Sequence, residues 1–112
     1  MTEYIQVMTT VDSSEDAQDI AEALVERRLA GCVQVVGPIT STYRWEGAVT
    51  TDEEWLCLIK TSADLYPILE RELEALHPYD VPEILALPVV RGSQAYLDWL
   101  DRELRSDPQD TD

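Results

Sequence analysis

Basic residues are scarce in this chain. Lysine and arginine number 8 against 23 aspartates and glutamates, the formal net charge is −15, and Lys60 is the only lysine. A surface of that sign repels phosphate backbones and anionic headgroups, so nucleic acid and membrane surfaces are not expected as partners. No run approaches the roughly 20 apolar residues that a membrane-spanning helix needs. The opening residues, MTEYIQVMTT, hold no basic segment followed by an apolar one, so no secretory signal is expected and the expected location is cytoplasmic. The parts of an enzyme are equally sparse. There is a single histidine, no Gly-rich phosphate loop, no His-Glu-x-x-His and no nucleophile elbow, and no catalysis is expected.

Cysteine is nearly absent as well, with Cys32 and Cys57 the only two. A turn near Gly47 is expected to set Cys57 opposite Thr42, about ten residues and roughly 30 Å from Cys32 along the strand. A disulfide tolerates only about 7 Å between Cα atoms. Both thiols are therefore expected free, which suits a reducing compartment.

What is present suffices for one folded unit. The hydrophobic fraction is 45% of 112 residues, and a chain of this length buries about two-thirds of its unfolded surface. Residues 1–105 read as a single domain, and 106–112 as an acidic tail expected to be disordered. Strong acidity with one lysine is also the composition of a protein kept soluble in concentrated salt.

Tyr4 to Val11 reads as a strand. Asp12-Ser13-Ser14-Glu15 then signals a helix start, and Ala17, Ile20, Ala21, Leu24, Val25 and Leu29 follow at helical spacing. Arg27 and Arg28 suit the negative end of the helix dipole, with Gly31 expected as the left-handed stop. Cys32 to Val36 is a second strand, interrupted at Gly37-Pro38 and resuming through Ile39 to Glu46. A turn near Gly47 leads into a third strand, about Thr50 to Lys60. Leu65, Ile68, Leu69, Leu73 and Leu76 mark a second helix with Pro67 in its first turn. Glu83 to Val90, flanked and interrupted by Pro82 and Pro88, reads as an irregular or edge strand. Ser93 caps a last helix carrying Tyr96, Trp99, Leu100 and Leu104. The order β-α-β-β-α-β with an extra helix predicts an α+β fold of ferredoxin-like type, with helices on one face of a four-stranded antiparallel sheet.

One length does not fit a lone subunit. Residues 33 to 46, if extended, span roughly 46 Å, whereas a compact domain of this size is on the order of 35 Å across. The hairpin is expected to project, and it carries Tyr43, Trp45 and Trp55. Exposed aromatic strands mark a partner surface, and the simplest partner is another copy. The competing arrangement folds the strand back onto its own core at Gly37-Pro38.

Five segments then carry a resemblance: Ala30-Gly31-Cys32-Val33-Gln34, Thr40 to Gly47 (TSTYRWEG), Leu58-Ile59-Lys60-Thr61, His77 to Glu83 (HPYDVPE) and Tyr96-Leu97-Asp98-Trp99-Leu100. In this order and spacing the chain resembles the CutA family of divalent-cation tolerance proteins, from about Tyr4 to Leu104. The resemblance implies a ferredoxin-like subunit, a homotrimer built by strand pairing between copies, and a part in tolerance of copper and other divalent metals. It also implies an architecture similar to that of the nitrogen-regulatory P-II proteins.

In the family's copper-binding pattern a cysteine ends the first strand and two adjacent histidines precede the Pro-Tyr. Thr9, Leu76 and His77 stand at those positions here, so two of the three ligands are missing. His77 alone is either a thin metal ligand or a helix-terminal histidine satisfied by backbone carbonyls. Cys32 offers a thiolate to soft metals, or else serves as a small buried hydrophobe. Lys60, alone in mid-sheet, has the chemistry of a base or an anion anchor, and its simpler role is an ion pair with a carboxylate such as Glu83 across an interface. Tyr43 and Trp45 are the expected ribbon contacts. Tyr79, with Tyr96 and Trp99, either lines a pocket or packs the last helix. The expected function is a homotrimer that binds a divalent metal such as copper, or a small ligand, in a metal-response role. The alternative is an adaptor trimer that recruits a protein partner.

Overall fold

A computed structural model describes residues 3–106. The expected tail, Ser106 apart, lies outside the described residues. The elements run β1 (Tyr4–Val11), α1 (Ser14–Glu26), β2 (Cys32–Trp45), β3 (Ala48–Ser62), α2 (Tyr66–Leu76), β4 (Leu85–Pro88) and α3 (Gln94–Glu103). A short 3-10 turn, Ala63–Leu65, leads into α2.

Local chemistry explains most of the boundaries. Ser13 caps α1, its hydroxyl accepting from the Asp16 backbone N–H at 3.1 Å, and Glu15 and Asp16 sit where the helix dipole favours negative charge. Ser93 caps α3 likewise, accepting from the Tyr96 N–H. Pro67 occupies the first turn of α2, where its missing N–H leaves nothing unsatisfied. The stop of α1 differs from expectation. Arg28, at φ 58°, takes the left-handed conformation, so that the N–H groups of Leu29 and Ala30 both turn back to the Leu24 carbonyl. Gly31 is needed for another reason: a Cβ there would collide with the Leu100 side chain from α3.

The sheet order is β2-β3-β1-β4, with every neighbouring pair antiparallel. β4 is shorter than Glu83–Val90, and the two prolines that bracket it account for the loss, since neither can donate to a ladder. β2 runs through Gly37-Pro38 as one strand, absorbing the interruption as a register shift between Val36 and Ile39. Gly37 lies against the Trp55 ring too closely for any side chain. Cys57 pairs with Val35, not with Thr42, while Cys32 pairs with Lys60. The two cysteines are thus three positions apart, about 10 Å along the strand and facing opposite sides. Both are free.

Side chains of β1 and β3 that face α1 and α2 make the core. Val7, Val11, Leu24, Leu29, Ile59, Leu69 and Leu73 are fully buried there. α3 adds a smaller cluster in which Leu100 and Leu104 meet Leu65 and Tyr4. The opposite face has no helix across its middle; α3 touches it only at one end, near Tyr4 and Cys32. Strand pairing sets Met8, Leu56, Leu58, Val36, Leu85 and Leu87 on that side, with Val36 45%, Leu85 56% and Leu87 48% exposed.

The β2–β3 hairpin outruns its neighbours. β1 pairs with β3 only from Trp55 to Ser62, whereas β2 pairs with β3 out to Trp45↔Ala48. The outer half is therefore a ribbon of two strands, and it stretches the long axis to 45 Å at a radius of gyration of 14.7 Å. Trp45 is 59% and Val49 67% exposed at its end.

The two faces of α1 supply a test. Leu24 is fully buried and its neighbour Val25 is 42% exposed. Leu24→Ala should cost about 2–5 kcal/mol, whereas Val25→Ala should change stability by about 0.5 kcal/mol or less. Urea unfolding at one fixed protein concentration reads both.

Candidate functional site

Where the ribbon leaves the sheet, four pieces of chain enclose a cavity of about 620 Å³. The end of β1 supplies Thr10. β2 supplies Ser41, Thr42, Tyr43 and Trp45, β3 supplies Glu54, and the loop between α2 and β4 supplies Tyr79, Asp80, Val81 and Glu83. The volume falls within the range of small-molecule sites.

The strands bring Glu54 there by alternation. Trp55 packs toward the core, so Glu54 faces the side away from α1 and α2 with Leu56. Glu54 is buried, and its Oε2 accepts from the Tyr79 hydroxyl at 2.7 Å. Burial and this carboxylate together push the Tyr79 phenol well above its usual range. Tyr43 donates to Asp52 on the facing strand, which along with partial burial raises its own phenol.

His77 fastens the loop that carries Tyr79. Its Nε2–H donates to the Thr10 carbonyl at 2.9 Å, and its Nδ1 accepts from the Tyr79 backbone N–H at 3.1 Å. The two rings are in contact, with centroids 4.8 Å apart. Both nitrogens are thus engaged, one of them by a backbone carbonyl, as in the helix-terminal arrangement.

Of the seven sequence-derived candidates, Tyr43, Trp45, Tyr79 and Glu83 line the cavity. His77 stands behind its wall. Cys32 and Lys60 are elsewhere, paired with each other at the far end of β3. Lys60 Nζ donates to Gln34 Oε1 at 2.8 Å, and the Cys32 thiol neighbours the Tyr96 hydroxyl. Thr9, at the position where the copper pattern has cysteine, is fully buried, and its hydroxyl has no hydrogen-bond partner among the described residues. Among the described residues no three His, Cys, Asp or Glu side chains gather to hold a metal ion. The described residues of one subunit thus gather no complete copper ligand set. Glu54 was not singled out from the sequence. It ends the acidic run Asp52-Glu53-Glu54, which reads as solvated, and Trp55 beside it, expected as an exposed ribbon aromatic, packs against the core.

The histidine gives a pH dependence of stability. Burial lowers the His77 pKa below 6.5, against raising effects from the Thr10 bond and from Glu54, Asp12 and Asp16. The unfolded chain thus takes the proton more readily. The contribution of neutral His77 is complete above pH 6.5 and is lost as pH falls from there through the lower folded value. Urea unfolding of the parent and of His77→Gln at stepped pH checks this: the parent should lose stability more steeply below that point.

Comparisons with known proteins agree on one grouping. The family model described as CutA1 divalent ion tolerance protein matches residues 5–103. The Thermus thermophilus divalent-cation tolerance protein CutA is 54% identical over 94 residues, covering 84% of this chain and 91% of its own. The plant and animal relatives are longer, and this chain spans about half their length. The crystal structure of CutA1 from Oryza sativa superposes with a TM-score of 0.91 at 41% identity, covering 94% of this chain and 96% of that one. The Archaeoglobus fulgidus structure, titled a periplasmic divalent cation tolerance protein CutA, gives 0.86 at 35% identity, covering 94% and 100%. No described helix is long and apolar enough to cross a membrane. With its α+β fold of four antiparallel strands and three helices matching those structures, the chain belongs to the CutA1 divalent ion tolerance protein family.

Proposed function

We propose that the chain works as a homotrimeric binding protein of metal tolerance, holding a small ligand in clefts between copies and catalysing no reaction. The observation that carries this reading is the sheet face away from α1 and α2. Val36, Leu85 and Leu87 are exposed there and Met8, Leu56 and Leu58 half-buried, and such an apolar stripe calls for a covering partner. The unaccompanied ribbon and the two sheet edges, β2 and β4, offer strand pairing to the same partner. Glu54 faces that side too, so copies meeting there would close the cavity into a cleft. Residues 1–105 are proposed as one domain of ferredoxin-like plan, supported by the sheet order and by the single main core.

For a copper ion, donors would have to come from more than one copy, because His77 and Cys32 lie at different ends of the sheet. A cytoplasmic setting is part of the proposal and rests on two unbridged cysteines. A second reading, an adaptor trimer that recruits another protein, is favoured by Val81 and Val90, each 83% exposed.

Sedimentation of the purified chain at micromolar concentration should give a trimer, and a stable folded single chain would overturn the proposal. Leu58→Arg, which sets a charge in the stripe, should yield monomers, since a buried unpaired charge costs several kcal/mol. Native mass spectrometry with copper, zinc and magnesium then reads metal per assembly. One ion per subunit would restore a local site.

A further inference from the structure

We propose that the cavity at the foot of the ribbon takes a small organic cation of the quaternary-ammonium or protonated-amine class. This rests on the reading of the chain as a small-ligand binder and names the ligand's chemistry.

The lining has two components and lacks a third. Tyr43, Trp45 and Tyr79 contribute aromatic rings, Glu54, Asp80 and Glu83 contribute carboxylates, and no lysine or arginine lines the space. Aromatic faces are negative at their centres and attract cations most strongly where water is kept away. The carboxylates add charge of the same sense. An anion would meet three carboxylates and no basic residue among the described lining residues.

Glu54 is the sharpest part of the argument. It is 8% exposed, and among the described residues its carboxylate has one hydrogen-bond donor, the neutral Tyr79 hydroxyl on Oε2, and no ion pair. Oε1 has no partner among the described residues. A carboxylate largely withdrawn from water is costly without a positive counterpart; Oε1 keeps some contact with solvent, and no cation lies beside it among the described residues. A ligand that brings the charge would meet that need.

A bare divalent ion meets it poorly. Such ions need several oxygens converging within coordination distance, and no such group forms among the described residues. A cation whose charge is spread over methyl or methylene groups suits the site better. Its apolar surface can lie on the rings while its charge approaches Glu54.

The test uses the intact chain and choline as the probe, with 3,3-dimethylbutan-1-ol as the neutral molecule of nearly the same shape. Calorimetry and tryptophan fluorescence at matched ionic strength read binding, and sedimentation reads assembly in the same samples. Choline should bind saturably with a Kd below about 1 mM, and the neutral probe at least about 10-fold more weakly. Glu54→Gln should cost choline at least about 10-fold in affinity while leaving the neutral probe unchanged. Trp45→Leu should weaken choline as well, which covers the case of a misfolded Gln variant. Equal binding of the two probes overturns the proposal. So does the absence of saturable choline binding up to about 10 mM in protein that is still trimeric; the trimer reading then stands and the cation class falls. A Glu54→Gln change that loosens the trimer and leaves choline binding intact also overturns it, since a residue of another copy would then be the counterpart. Choline binding by a single chain would instead remove the trimer reading and leave the cation class standing.

Discussion

Two helices can cover one face of a four-stranded sheet and no more, and much of this molecule follows from that limit. α1 and α2 bury the side of β1 and β3 that carries Val7, Val11 and Ile59. Strand alternation then obliges the intervening residues, Met8, Leu56 and Leu58, to face the other way. In a soluble monomer those positions would be polar. Here they are apolar, while the acidic residues cluster on helices, loops and the ribbon. The chain thus concentrates its charge away from the sheet and leaves one sheet face largely apolar.

The cavity lies at the border between these regimes. It opens where the sheet stops being four strands wide and becomes a ribbon of two, so its floor is β-structure and its roof is a loop. That loop is held from behind by His77 and from inside by Tyr79. Both bonds are made to residues near the end of the β1–β3 pairing, Thr10 and Glu54. The wall of the cavity is therefore anchored to the sheet where β1 and β3 pair.

Much of this was legible in the sequence because it is local. The helix start within Asp12–Glu15, the Ser93 cap, the stripe Ile20-Leu24 and the first-turn Pro67 are decided by neighbours within a few residues. Register differs from expectation. The pairing of Cys57 with Val35 and not Thr42 follows from the tight turn at Glu46-Gly47, which sets Trp45 opposite Ala48; the shift between Val36 and Ile39 moves the partner by one position only. The stop at Arg28 was hidden for another reason, since Gly31 was reserved for contact with α3. At the site, Tyr43, Trp45 and Glu83 were legible from motifs; Tyr79, expected with Tyr96 and Trp99 of the last helix, turns to Glu54 instead, and Glu54 looked like one of three solvated acids. The expected Lys60–Glu83 pair is not made within the subunit. Lys60 turns to Gln34, and Glu83 lies at the opposite end of β3 beside the cavity.

The unaccompanied outer half of the hairpin carries one more consequence. Its backbone pairings are guarded by no third strand, so in a free subunit it can fray without disturbing the core, at the low end of the local-opening scale. If copies grip it, that segment would gain its rigidity only on association, and the final step of assembly would coincide with the final step of folding. Slow amide exchange along Thr40 to Glu53 would then be a property of the complex and not of the chain.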